Sequence, residues 1–95
     1  MPSLRELLST CEEDTRRLFG RREANRLAAW RRYNTDHELV AFIQRTIRNQ
    51  DNKVNGFLLH SQHGVSLEAI VAIYLPKQFD KEDILIAQQT IDIGK

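Results

Sequence analysis

The sequence predicts an all-α fold, a compact bundle of about five helices, and three observations carry that prediction. Two Ser/Thr-x-x-Glu boxes, Ser3–Glu6 and Thr35–Glu38, open helices; apolar residues recur at helical spacing after each; and turn-forming residues separate the periodic stretches. In such a box the hydroxyl accepts from the amide three residues on, while the glutamate reaches back to the first amide.

Taken in order, Leu4, Leu7, Leu8, Cys11, Thr15, Leu18 and Phe19 form one apolar stripe on a helix over 4–19, and Gly20 stands where a left-handed cap is wanted. A second helical segment, 21–33, sets Ala24, Leu27, Ala28 and Trp30 among arginines, and its narrow apolar face places it at the surface. Leu39, Phe42, Ile43, Thr46 and Ile47 carry a third helix behind Thr35. The polar stretch 48–53 lacks apolar periodicity and reads as a loop, the one internal boundary on offer. Past a short segment, 54–63, closed by Gly64, Ser66 caps a helix over 67–75, which Pro76 ends by disfavouring helix at the residue before it. Asp80 caps a last helix with Glu82 and Asp83 in its first turn, where the helix dipole favours acids, and Ile84, Leu85, Gln88 and Ile91 facing inward. Val65 to Tyr74 also fits a strand pairing with 57–60, so an α+β fold with a hairpin at 54–75 is the alternative.

The 95 residues fit one helical domain, 1–95, with 41% apolar and 28% charged residues, ordinary values for a globular chain. A chain of this length buries only about 60–65% of its unfolded surface. No apolar run approaches the ~18 residues of a membrane span, and no basic flank with an apolar stretch opens the chain as a secretory signal does. A single cysteine cannot close an internal disulfide. The expected setting is intracellular, cytoplasmic or nuclear, without a membrane partner.

Charge is unevenly placed. The net value is +1, yet residues 1–50 carry ten Arg and no Lys against seven acids, and residues 51–95 four Lys and no Arg against six. Seven arginines lie in 15–32 (Arg16, Arg17, Arg21, Arg22, Arg26, Arg31, Arg32) against one acid, Glu23. A block of this kind directs partner choice, since its field reaches over a Debye length of ~8 Å at physiological salt.

Leu59, the turn Gly64-Val65-Ser66, Ile70 and Ile73 fall at the spacings of a helix-turn-helix, and the C-terminal half over Gly56–Tyr74 resembles that motif. His60 and His63 depart from the pattern, where a small and an apolar residue are usual. The outward positions of the second helix would be Leu67, Glu68, Ala69, Val71 and Ala72, none able to pair with a base edge, so this helix looks built to be buried or to meet protein. The run Arg21 to Asn34 resembles the arginine-rich RNA-binding helices of lambdoid phage antiterminators, which set paired arginines, alanines and a stacking tryptophan on one helix. That resemblance implies phosphate contact by Arg21, Arg22 and Arg26 and base stacking by Trp30.

Two other readings of the arginines stand beside it. They fit a solvated face paired to Glu12, Glu13, Asp14 and Glu23, with Glu12/Arg16 and Glu13/Arg17 at the favourable acid-first i,i+4 spacing. They also fit a protein interface, where Arg, Trp and Tyr dominate. His60 and His63 share a helical face, but two imidazoles fall short of a zinc set, and no metal or cofactor is expected. Cys11 on an apolar stripe is a small hydrophobe. The glycines stand singly and no carboxylate pair sits among apolar residues, so no enzyme is expected.

The functional expectation is a small regulatory or adaptor domain that binds another protein. Its candidate surface is Arg16, Arg17, Arg21, Arg22, Arg26, Trp30, Arg31, Arg32 and Tyr33, and the apolar segment 65–75 could pair two copies as a homodimer. The alternative is a nucleic-acid-binding regulator, of RNA or DNA, using the arginine helix over 16–32.

Overall fold

A computed structural model describes residues 2–49 and 53–92, with the side chains of 53–55 left aside. Its helices are α1 (Leu4–Phe19), α2 (Arg21–Leu27) continued by a 3-10 turn (Ala28–Arg32), α3 (Asp36–Arg48), α4 (Lys53–Ser61), α5 (Leu67–Ala69) continued by π-helical Ile70–Tyr74, a 3-10 turn (Pro76–Gln78), and α6 (Lys81–Asp92). The described residues contain no strand, so the all-α bundle stands and 54–75 is no hairpin. Of the stretch expected as a loop, Arg48 belongs to α3 and Lys53 to α4, while 50–52 lie outside the described residues.

Local chemistry sets the helix starts. Ser3 Oγ accepts from the Glu6 amide at 3.2 Å, Thr35 Oγ1 from the Glu38 amide at 3.2 Å, and Ser66 Oγ from the Ala69 amide at 3.0 Å. Gly20 ends α1 differently from expectation: φ 92° and ψ −178° lie outside the left-handed helical region, in a zone that only glycine occupies easily. This kink folds α2 directly back from α1. The end of α4 carries the left-handed cap instead, on a non-glycine residue. His63 has φ 64°, its amide bonds to the His60 carbonyl at 3.0 Å, and the Gly64 amide to that of Leu59 at 2.9 Å, together a Schellman motif. Gly64 answers to close approach, since a Cβ there would meet Leu59 Cδ1 at 2.6 Å.

One apolar cluster gathers Leu4, Leu7, Leu8 and Cys11 of α1, Trp30, Leu39, Phe42, Ile43 and Ile47 of α3, Leu59 of α4, and Leu67, Ile70 and Val71. The expected inward stripe of α1 falls short at one end, and that of α6 is rotated. Leu18 is exposed, because the buried stripe of α1 runs out at Thr15. In α6 the buried residues are Asp83, Ala87, Thr90 and Ile91, while Leu85 is 55% exposed and Gln88 is exposed. Asp83 turns inward because it accepts from Gln44 Nε2 at 2.7 Å and from Arg48 at 2.6 Å, both on α3. A buried carboxylate needs such partners, and they fix the register of the helix that carries it.

The helix-turn-helix likeness holds in connectivity but not in packing. Past Ile70 the chain winds as a π-helix, with the Leu75 amide bonded to the Ile70 carbonyl at 2.9 Å. Wider winding advances each residue by a smaller angle, so Val71 is buried while Ile73 is 54% exposed. Leu67, Glu68 and Ala69, outward in a DNA-reading helix, are buried as well.

Candidate functional site

The seven arginines form an exposed ridge along α1, α2 and the 3-10 turn. Glu12, buried within α1, accepts from Arg16 at 3.1 Å and from Arg31 at 3.0 Å. Arg17 pairs with Asp14 at 3.0 Å, not with Glu13, and Arg26 lies 3.8 Å from Glu23. Arg21, Arg22 and Arg32 have no acid partner among the described residues. The ridge is therefore part paired and part open, with its open members at α2's start and the end of the 3-10 turn.

The two aromatic residues expected on this surface are turned inward. Trp30 is 8% exposed; its Nε1 donates to Glu12 Oε1 at 3.1 Å, and the Arg31 guanidinium stands 5.3 Å over its ring. Tyr33 is half-buried: its hydroxyl accepts from Arg45 at 3.1 Å, its carbonyl from Arg5 at 2.7 Å, and its ring lies 5.8 Å from that of Phe42. In 3-10 winding, residues three apart eclipse one another, so Leu27, Trp30 and Tyr33 align on the inner side and Arg31 and Arg32 are left outside. Trp30 is thus a core residue and not an exposed member of the ridge.

A second surface feature lies where α4, the π-helical segment and α6 meet. Phe57, His60, His63, Ile73, Tyr74 and Ile91 help line a groove of about 410 Å³, with Tyr74 39% exposed beside Ile73. The two histidines share this groove, but no group of three or more His, Cys, Asp or Glu side chains converges among the described residues.

The third feature is a pocket that opens to solvent. It has a volume of about 290 Å³ and is lined by Cys11, Thr15 and Phe19 of α1, Glu23, Arg26 and Leu27 of α2, Phe42, Thr46 and Asn49 of α3, Gly56 and Leu59 of α4, and Ser66, Leu67 and Glu68. Glu68 is 3% exposed, and it forms no ion pair with another described residue. Burial pushes that carboxyl up to about 7, with its own backbone amide pulling the other way. Burial also pushes the Cys11 thiol up to about 12, helped by the negative charge of Glu68. Gly56 makes room for the acid, for a Cβ at that position would meet Glu68 Cδ at 2.6 Å.

Sequence reasoning placed Glu68 outward and assigned it no role. A signal was present, since Glu68 is the only Asp, Glu, Lys or Arg between Lys53 and Lys77. Compared with known proteins, the chain matches no family model, no curated sequence and no solved structure.

Proposed function

We propose that the chain is a protein-binding regulatory or adaptor domain, acting by contact and not by catalysis, with the groove beside Ile73 and Tyr74 as its contact surface. The observation that carries this reading is the exposure of a neighbouring isoleucine and tyrosine along a groove that Phe57 and Ile91 also line. Exposed aromatic and aliphatic side chains around a concavity supply the anchor that protein interfaces concentrate at their centres. The arginine ridge adds charge that steers an acidic partner toward the domain. An intracellular setting accompanies this reading, and no helix among the described residues is long and apolar enough to cross a membrane.

Pairing of two copies through the groove is the form tested most directly. Sedimentation equilibrium over a concentration series is expected to show a reversible dimer, lost in Ile73→Asp. A strict monomer at high concentration removes self-association. A photo-crosslinker at position 73 that captures no distinct protein from the native cell then removes the groove as a contact surface.

One observation favours a second reading. Arg21, Arg22 and Arg32 are exposed without an acid partner, which suits phosphate. Binding to mixed RNA or DNA that falls steeply with salt, and is abolished by joint substitution of Arg21, Arg22 and Arg26, would support it. No binding at low salt ends it.

A further inference from the structure

We propose that the pocket beside Glu68 is a binding site for a small organic cation, a primary ammonium group carried on an apolar body. The inference rests on shape, lining and a buried carboxyl without an ion pair among the described residues. The space of about 290 Å³ sits at the small end of ligand pockets and holds roughly ten non-hydrogen atoms, on the basis of about 30 Å³ per water-sized group. Phe19, Leu27, Phe42, Leu59 and Leu67 give its wall an apolar character suited to a hydrocarbon or aromatic body.

Two acids line the pocket, and of these Glu68 is the buried one. Among the described residues every fully enclosed side-chain nitrogen or oxygen has a hydrogen-bond partner. The Glu68 carboxyl accepts from its own backbone amide and has no ion pair with a described residue, and Glu68 lines the pocket. The other buried acids contrast with it: Glu12 is held by Arg16, Arg31 and Trp30, and Asp83 by Arg48 and Gln44. A buried carboxylate is costly unless paired, and a ligand ammonium supplies both an opposite charge and hydrogen-bond donors.

The charges lining the pocket are two acids, Glu23 and Glu68, against one cation, Arg26. Glu23 and Arg26 stand at α2's contribution to the lining and lie 3.8 Å apart, while α3 and α4 contribute Phe42, Thr46, Asn49, Gly56 and Leu59, none of them charged. The Cys11 thiol from α1 feels Glu68, Asp14 and Glu12 as negative neighbours. Glu68 is thus left as the charge a ligand would meet, and a cation is favoured over an anion.

The test uses the whole chain and three probes of similar size: 2-phenylethylamine, 2-phenylethanol and 3-phenylpropionate, each titrated by calorimetry and by protein NMR. Saturable binding of the amine is expected, at least about tenfold tighter than the alcohol, with no binding of the acid. Affinity for the amine is expected to rise about tenfold from pH 6 to pH 8 as Glu68 ionises, with proton release on binding. Glu68→Gln, close to isosteric, should lower amine affinity about tenfold or more and leave the alcohol unchanged. The proposal is overturned if the amine does not saturate, if amine and alcohol bind alike, or if the amine shows no rise with pH. These three readouts use the unaltered chain and so stand even if the variant misfolds. Equal amine affinity in a folded Glu68→Gln variant overturns it as well.

Discussion

At the scale of single residues, Glu68 has the clearest energetic signature. In the folded chain it holds its proton up to about pH 7, whereas the unfolded chain releases it near the ordinary 4.5. Between these values the folded state binds more protons than the unfolded one. Stability therefore falls as pH rises from about 4.5 to about 7, by an amount on the order of 3 kcal/mol, and levels off above. Glu68→Gln is expected to remove that slope and to be the more stable form at pH 8, as read by urea denaturation across a pH series. If the two pH profiles run parallel, the burial of Glu68 is not what sets the slope. The sequence left this residue illegible for a physical reason. A lone acid in an apolar stretch marks either the wet edge of a helix or a buried charge, and only the helices packed over it decide which. Trp30 is the reverse case: its neighbours Arg31 and Arg32 drew it outward on paper, while its partner, Glu12, lies eighteen residues away.

At the scale of elements, helix starts were legible, and helix phase was legible in α1 and α3 but not in α6. Ser3, Thr35 and Ser66 cap where their hydroxyls predict, since a cap depends on three or four neighbouring residues. The rotation of α6 depends on Asp83 meeting Gln44 and Arg48, contacts no local pattern contains. The π winding after Ile70 is equally hidden, because Ile70 and Ile73 have the spacing of an ordinary helix. The joints between elements give two predictions of opposite sign. Gly20→Ala should destabilise the chain by roughly 1–3 kcal/mol, although nothing lies within 4 Å of the added Cβ, because φ 92° with ψ −178° excludes a side chain on backbone grounds alone. His63→Gly should stabilise it by about 0.5–1 kcal/mol by placing glycine at the left-handed position of the cap. Thermal denaturation followed by circular dichroism measures both, and a neutral Gly20→Ala would show that this joint relaxes.

At the scale of the whole molecule, buried and half-buried acids tie distant segments together. Glu12 joins α1 to the 3-10 turn, Asp83 joins α6 to α3, and Asp14 accepts the Val65 amide at 2.8 Å, joining α1 to the entry of α5. The arginine heads on Glu12 are half-exposed, so their ionic contribution is screened and the Trp30 bond matters more. Glu12→Ala leaves that buried indole N–H unpaired and is expected to cost about 2–3 kcal/mol. In a Trp30→Phe background the same change should cost measurably less, and equal costs would show that the indole bond is not what Glu12 supplies. The fold class was readable because it needs only local periodicity. The surfaces were not, because they are what remains after such long-range ties have chosen which side chains turn inward. Trp30 is also the single tryptophan of the chain. Clamped between a carboxylate and a guanidinium in a largely water-free seat, it is a built-in optical gauge. Its emission should sit to the blue of free indole and move to the red when the 3-10 arm lifts from α1, before the rest of the bundle has opened.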